Sequence, residues 1–236
     1  MATATDTIIR RKLSHEVFDR LRTMITGGEL KPGDAMPSER DLMERFGVGR
    51  PAIREAMQAL ANMGLIAITH GERARVQQLT ARSIFQQMDL TANILLSASP
   101  DSLEHLKEAR RFFELGMVRA AAERATAEEV ARLRATLDAQ ALAIENADAF
   151  ISADMRFHAQ IAAISGNPIF EAVSEAMLGW LRQYHTEMLS WTGRQNVTLT
   201  EHDEILGHIA GHEPELAEQA MIRHLDRSRA LYIHGE

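Results

Sequence analysis

Between Lys12 and Thr26 the apolar residues Leu13, Val17, Leu21 and Ile25 recur every four positions, which predicts an amphipathic helix. Gly27-Gly28 ends it, and Lys31-Pro32-Gly33-Asp34 is turn chemistry. Ser38 followed three residues later by Asp41 is a capping box, so a second helix starts there with Leu42 and Phe46 facing inward. Gly47 supplies a turn, and Gly49 stands ahead of a third helix that tolerates Pro51 in its first turn. Along that helix Ile53, Met57 and Leu60 line one face, while Arg50, Arg54, Gln58 and Asn62 line another. Leu65–Thr69 then reads as a strand, His70-Gly71 as a tight turn, and Arg73–Gln78 as the partner strand. Helix, turn, helix and hairpin in that order make a winged helix-turn-helix.

After Leu79 the strand signals stop, and patterns rich in Ala, Leu and Glu predict helices at roughly 80–97, 102–125, 127–145, 147–164, 168–191, 198–210 and 214–233. The expected fold is mainly α. It comprises a winged helix-turn-helix domain over 8–78 and an all-α helical-bundle domain over 79–236.

Charge sharpens this division. The chain carries a net −7, but residues 1–78 hold 12 Lys+Arg against 10 Asp+Glu, and the remainder 14 against 23. A near-neutral head with focused arginines on an acidic body fits a head that binds double-stranded DNA and a body that does not. An aromatic content of 5% argues against stacking platforms for single strands. The absence of cysteine excludes disulfides and thiol chemistry. No apolar run is long enough to span a membrane and no signal-peptide pattern follows Met1, so the expectation is a cytoplasmic protein with no membrane partner.

Arginine is the commonest major-groove reader because its planar fork matches guanine O6 and N7. Arg50 and Arg54, in the first two turns of the third helix, stand where readers belong, and Arg40 is placed to reach phosphate or base. The plain alternative is that these arginines are solvated charges paired with Asp41, Glu44 or Glu55.

Pro37-Ser38-Glu39-Arg40, Phe46-Gly47-Val48-Gly49-Arg50-Pro51, Ile53-Arg54-Glu55-Ala56 and Leu65-Ile66 through His70-Gly71 together resemble the GntR family of bacterial transcription regulators. The helical remainder resembles the FadR subgroup with its FCD effector domain. The resemblance implies DNA-binding roles for Arg40, Arg50, Arg54, His70 and Gly71, and a homodimer on a palindromic operator. Gly49 departs from the family, which usually has Ser or Thr there, so only its backbone is carried over.

Asp154 and His158 lie four apart on a helix, a spacing that suits two ligands of one metal but also describes a common surface pair. The segments around His202 and His224 match those of the subgroup's metal-binding members, and the resemblance implies a site of Asp154, His158, His202 and His224. Three imidazoles and one oxygen favour Zn²⁺, with Ni²⁺ or Mn²⁺ open. His208 and His212 are set aside as complements to a helix C-terminus.

A small carboxylate effector gripped by such a metal needs a second cation. Arg110 matches the subgroup's pocket-facing arginine, the alternative being a salt bridge to Glu114. Ser165, Asn167 and Tyr184 are candidate polar lining groups. The runs Gly71–Val76 and Gly166–Phe170 look most like the regulators of sialic-acid catabolism, making a sugar acid the leading effector. An aromatic acid or a carboxylate-bearing metabolite stays open, as does a purely structural metal with an activator role. No His-Glu-x-x-His helix, Gly-rich phosphate loop or nucleophile elbow is present, so an enzyme is not expected.

Overall fold

The computed structural model describes residues 12–182, 184 and 195–228, and among them are ten helices and one two-stranded ribbon. The chain divides into two compact units between Ile84 and Phe85, whereas the change in residue character falls at 78–79. Each unit has its own core.

The first unit holds α1 (Leu13–Thr26), α2 (Glu39–Phe46), α3 (Arg50–Asn62), β1 (Ile66–Ala67) and β2 (Arg75–Val76). Val17, Leu21 and Met24 of α1 pack with Leu42, Ile53, Leu60, Ile66 and Val76. The buried stripe on α1 therefore differs from the expected four-residue spacing: Ser14 and Met24 are inside, and Leu13 is 61% exposed. At 3.6 residues per turn, repeated steps of four drift around the helix, and only alternating steps of three and four stay over one core. The capping box forms as expected, with Ser38 Oγ accepting from Asp41 N–H and Asp41 Oδ2 accepting from Ser38 N–H. Gly47 ends α2 in the left-handed region at φ 64°, a turn that a Cβ would strain.

The wing is shorter than the expected strands. Only Ile66↔Val76 and Ala67↔Arg75 pair, and the chain opens into a loop beyond them. The other edge of β2 is used by residues 33–36: Met36 N–H donates to Ala74 C=O, and Gly33 N–H to Val76 C=O. The wing is thereby anchored to the turn ahead of α2.

The second unit contains most of α4 (Ala81–Ser97) and all of α5 (Pro100–Arg124), α6 (Ala127–Leu142), α7 (Ala147–Ile164), α8 (Pro168–Arg182), α9 (Gln195–Ala210) and α10 (Pro214–Ser228). Expected spans 168–191 and 214–233 run past 182 and 228 into residues outside those described. Helix α5 begins two residues earlier than expected because the Ser99 hydroxyl accepts from Asp101 N–H. Thr126 and Glu129 form a second reciprocal capping box at the start of α6, and Asn146 caps α7.

Helix α5 packs on α7, α8 and α10, and α6 on α7 and α9. Ala121, Ala122, Ala217 and Ala220 are all buried in the main core, the small residues letting α5 and α10 approach closely. Phe157, Ile161, Leu133, Leu206 and Met221 fill the centre. No helix among the described residues is long and apolar enough to cross a membrane.

Candidate DNA-reading face and metal centre

In the first unit, Arg40, Arg50, Arg54, His70 and Gly71 are all exposed. Arg50 opens α3 and Arg54 stands one turn on, while Ile53, Ala56 and Leu60 anchor the opposite face in the core. Gln58 and Asn62 continue the outer row and bond one another at 3.0 Å. Gly71 turns the wing tip at φ 80°. Two of the acids expected beside these arginines have other contacts: Asp41 closes its capping box and Glu55 pairs with Lys12. The actual partner is Glu39, 2.7 Å from Arg54 Nε and 3.5 Å from Arg50 Nε. Gly49 caps α3 with backbone alone, as its missing side chain requires.

In the second unit, the structure brings Asp154, His158, His202 and His224 together. Asp154 and His158 come from α7, His202 from α9 and His224 from α10. The three imidazoles are at most 2% exposed, and one ring nitrogen of each lies within 4.8 Å of the others. His202 Nε2 is 3.4 Å from His224 Nε2 and 3.5 Å from Asp154 Oδ1, while His158 Nε2 is 4.0 Å from Asp154 Oδ2.

Each imidazole is turned by a contact at its other nitrogen. His202 Nδ1 lies 2.9 Å from Gln140 Oε1, and His224 Nδ1 2.8 Å from Glu201 Oε2. His158 Nδ1 lies 2.6 Å from Glu114 Oε2, off the axis of a hydrogen bond. Amide and carboxylate oxygens only accept, so Nδ1 of His202 and His224 carries the proton and Nε2 presents a lone pair inward. Gln140 also donates from Nε2 to Asp154 Oδ1 at 3.2 Å, which fixes the amide in one orientation.

Burial favours the neutral form of His202 and His224. Burial holds the His202 imidazole well below its ordinary pKa, and neighbouring His224, His158 and Arg110 push the same way. Burial also lowers His224, against the hydrogen bond it donates to Glu201, which raises it. Burial raises Glu114, but Arg110 and His158 outweigh it and hold the carboxyl at about 2. Burial likewise raises Glu201, which the hydrogen bonds of His224 and Arg227 hold at about 2.

These residues fit a divalent metal. His158 Nε2 is a buried nitrogen without a hydrogen-bond partner among the described residues, an arrangement that costs free energy unless a ligand satisfies it. The 3.4 Å between His202 Nε2 and His224 Nε2 matches two nitrogens each about 2.0–2.1 Å from one tetrahedral ion. Neutral, pre-turned imidazoles are the metal-binding form, and acceptors at the outer nitrogens are what metal-ligating histidines ordinarily have.

Arg110 is 4% exposed and pairs with Glu114, as the plainer alternative foresaw, yet it also borders a cavity of about 450 Å³ between α5 and α10. Its lining is of mixed charge, with Lys107 and Arg111 beside Glu108 and Asp226, and Leu225 and Ser228 completing it. Asn167 and Tyr184 lie elsewhere. The Asn167 side chain accepts from Ile169 N–H at the start of α8, and Tyr184 packs with Leu96, Leu103 and Leu181. Buried Ser165 accepts from Asn167 N–H. His208 pairs with Glu213, and His212 bonds Ala122 C=O, both where α9 ends.

Sequence reasoning does not reach Glu39, Gln140, Glu201 or Arg227. Gln140 and His202 are far apart in the chain, and nothing local marks the pair. Glu201 adjoins His202 in the chain, and that adjacency was the available signal.

A winged reading head and an all-helical unit on one chain define a two-domain bacterial transcription regulator. Residues 13–76 match the bacterial regulatory proteins of the gntR family, and residues 105–227 match the FCD domain. The chain belongs to the GntR family, whose members here are transcription regulators and not enzymes. It is 38% identical over 227 residues to the HTH-type transcriptional repressor NanR of Escherichia coli (strain K12), covering 95% of this chain and 86% of the relative. For the NanR of Edwardsiella tarda (strain FL6-60) the identity is 38% over 221 residues, covering 93% and 85%. Among solved structures, Streptococcus agalactiae GntR superposes with a TM-score of 0.65 at 23% identity over 92% of this chain and 99% of its own. Escherichia coli McbR/YncC gives 0.51 at 18% identity, over 94% and 97%. These two likenesses show the fold.

Proposed function

We propose that the protein is an effector-responsive repressor that binds a palindromic operator as a homodimer. In this reading Asp154, His158, His202 and His224 hold a divalent metal, Zn²⁺ foremost, and a small carboxylate bound there relieves DNA binding. The convergence of three buried imidazoles in the FCD unit carries the proposal. Similarity to the repressor NanR supports the direction of control.

Charge supports an anionic effector. Glu114 is paired with Arg110 and Glu201 with Arg227, so both pairs are internally neutral. Asp154 then leaves one positive charge uncompensated when a divalent ion is bound, and one carboxylate matches it. The ion acts as a Lewis acid toward that carboxylate. Arg110, at the border of the cavity between α5 and α10, is the cation proposed to give the second contact. Binding relieves repression to the extent that the effector prefers the conformation with weaker DNA affinity.

A thermal-shift series with a sialic acid, other sugar acids and aromatic acids tests this, each with and without chelator. An acid at 100 times its Kd should stabilise the metal-loaded chain by about 2.7 kcal/mol, and chelator should abolish the shift. If no acid moves Tm, the carboxylate effector is refuted. A shift that survives chelation places the acid away from the metal.

A further inference from the structure

Glu39 is the first residue of α2, and its carboxylate lies between two arginines of the following helix. Oε1 accepts from Arg54 Nε at 2.7 Å, and Oε2 is 3.5 Å from Arg50 Nε. Helix α2 does not need this side chain for its start, because Ser38 and Asp41 close the capping box between themselves. Nor does Glu39 belong to the apolar core of the unit.

What the contact does is order the arginines. Arg50 and Arg54 stand four residues apart on an exposed face, where like charges repel and long side chains range widely. One carboxylate between them offsets that repulsion and sets the two guanidinium groups side by side. Both contacts run through Nε, which leaves the Nη1–Nη2 edge of each fork for a second planar acceptor pair such as guanine O6 and N7.

The same negative charge acts differently on matched and unmatched duplexes. On arbitrary sequence the arginines gain by swinging onto phosphates, and a carboxylate on that face opposes them. A matched base can instead be met by the Nη1–Nη2 edge while Nε stays with Glu39.

We propose that Glu39 is a specificity-determining positioning residue, which pre-orders Arg50 and Arg54 for base edges and disfavours their capture by phosphate. This rests on Arg50 and Arg54 being base readers, and the experiment separates the two ideas. Two duplexes serve as probes: one enriched by the full wild-type chain from a randomised pool, and a scrambled version of it. The readouts are the ratio of the two Kd values and the dependence of each on salt.

Glu39→Ala is expected to tighten binding to the scrambled duplex and to reduce the ratio about tenfold. On the scrambled duplex its slope of log K against log salt should steepen by about one. Glu39→Gln keeps an acceptor oxygen without the charge and should fall between, with an unchanged Tm. Arg54→Ala, run in parallel, should lower the ratio as well. Equal weakening on both duplexes by Glu39→Ala would show a role in supporting α2 alone and overturn the proposal. An unchanged ratio for Glu39→Ala beside a reduced one for Arg54→Ala also overturns it, with the readers intact. If Arg54→Ala leaves the ratio unchanged, the reader assignment fails and the proposal falls with it.

Discussion

The two units place their working groups in opposite environments. In the head, Arg50 and Arg54 have side chains 60% and 65% exposed, held by one surface carboxylate. In the helical unit the three imidazoles are at most 2% exposed and each has its own partner. Exposed arginines cost the fold little and stay available to a large partner, so their order must come from a neighbour rather than from packing. Buried imidazoles are ordered by packing itself, but every polar atom then needs a designated contact. The head is therefore tolerant in stability and exacting in charge, and the centre is exacting in both.

The largest effect that tests this contrast is His202→Ala. It should abolish metal retention, measured by elemental analysis, and lower stability by roughly 3–5 kcal/mol in denaturant unfolding. Arg54→Ala should stay within about 0.5 kcal/mol of wild type in the same measurement. Similar losses for both would dissolve the distinction.

Glu201→Gln sharpens it with a smaller change. His224 and Arg227 both lean on that carboxylate, so metal affinity should fall about 10- to 100-fold while stoichiometry is kept. Competition with a chromophoric chelator reads this, and an unaltered affinity would show that His224 needs no partner.

The smallest expected effect is in the head. A Cβ at Gly49 would meet only Pro51 Cδ, at 3.6 Å, so Gly49→Ser should add a side-chain cap to α3 and a few tenths of a kcal/mol. A loss of stability in urea would show that the bare glycine is required.

The sequence made the head legible because its signals are local. Ser38 and Asp41 are one helical turn apart, as are Arg50 and Arg54, and Gly47 marks the turn between their helices. The four residues of the centre came from a family likeness and one i,i+4 spacing. Their supports did not, since Gln140 meets His202 across 62 residues and Glu201 meets Arg227 across 26. Glu39 escaped for a related reason: its partners lie across a turn, on the next helix. Periodicity also overextended the wing, where only two residue pairs join β1 and β2, and it did not reveal that residues 33–36 occupy the far edge of β2.

The centre also has a consequence for how the chain tolerates changes in length. Glu114 from α5, Gln140 from α6, Asp154 and His158 from α7, Glu201 and His202 from α9, and His224 from α10 all meet at one point. Adding or deleting a single residue within a helix rotates everything beyond it by about 100°. Five helices are thus locked in rotational phase by a single cluster. Insertions are expected to be tolerated outside their packed interiors, among the described residues in connections such as 143–146, 165–167 and 211–213.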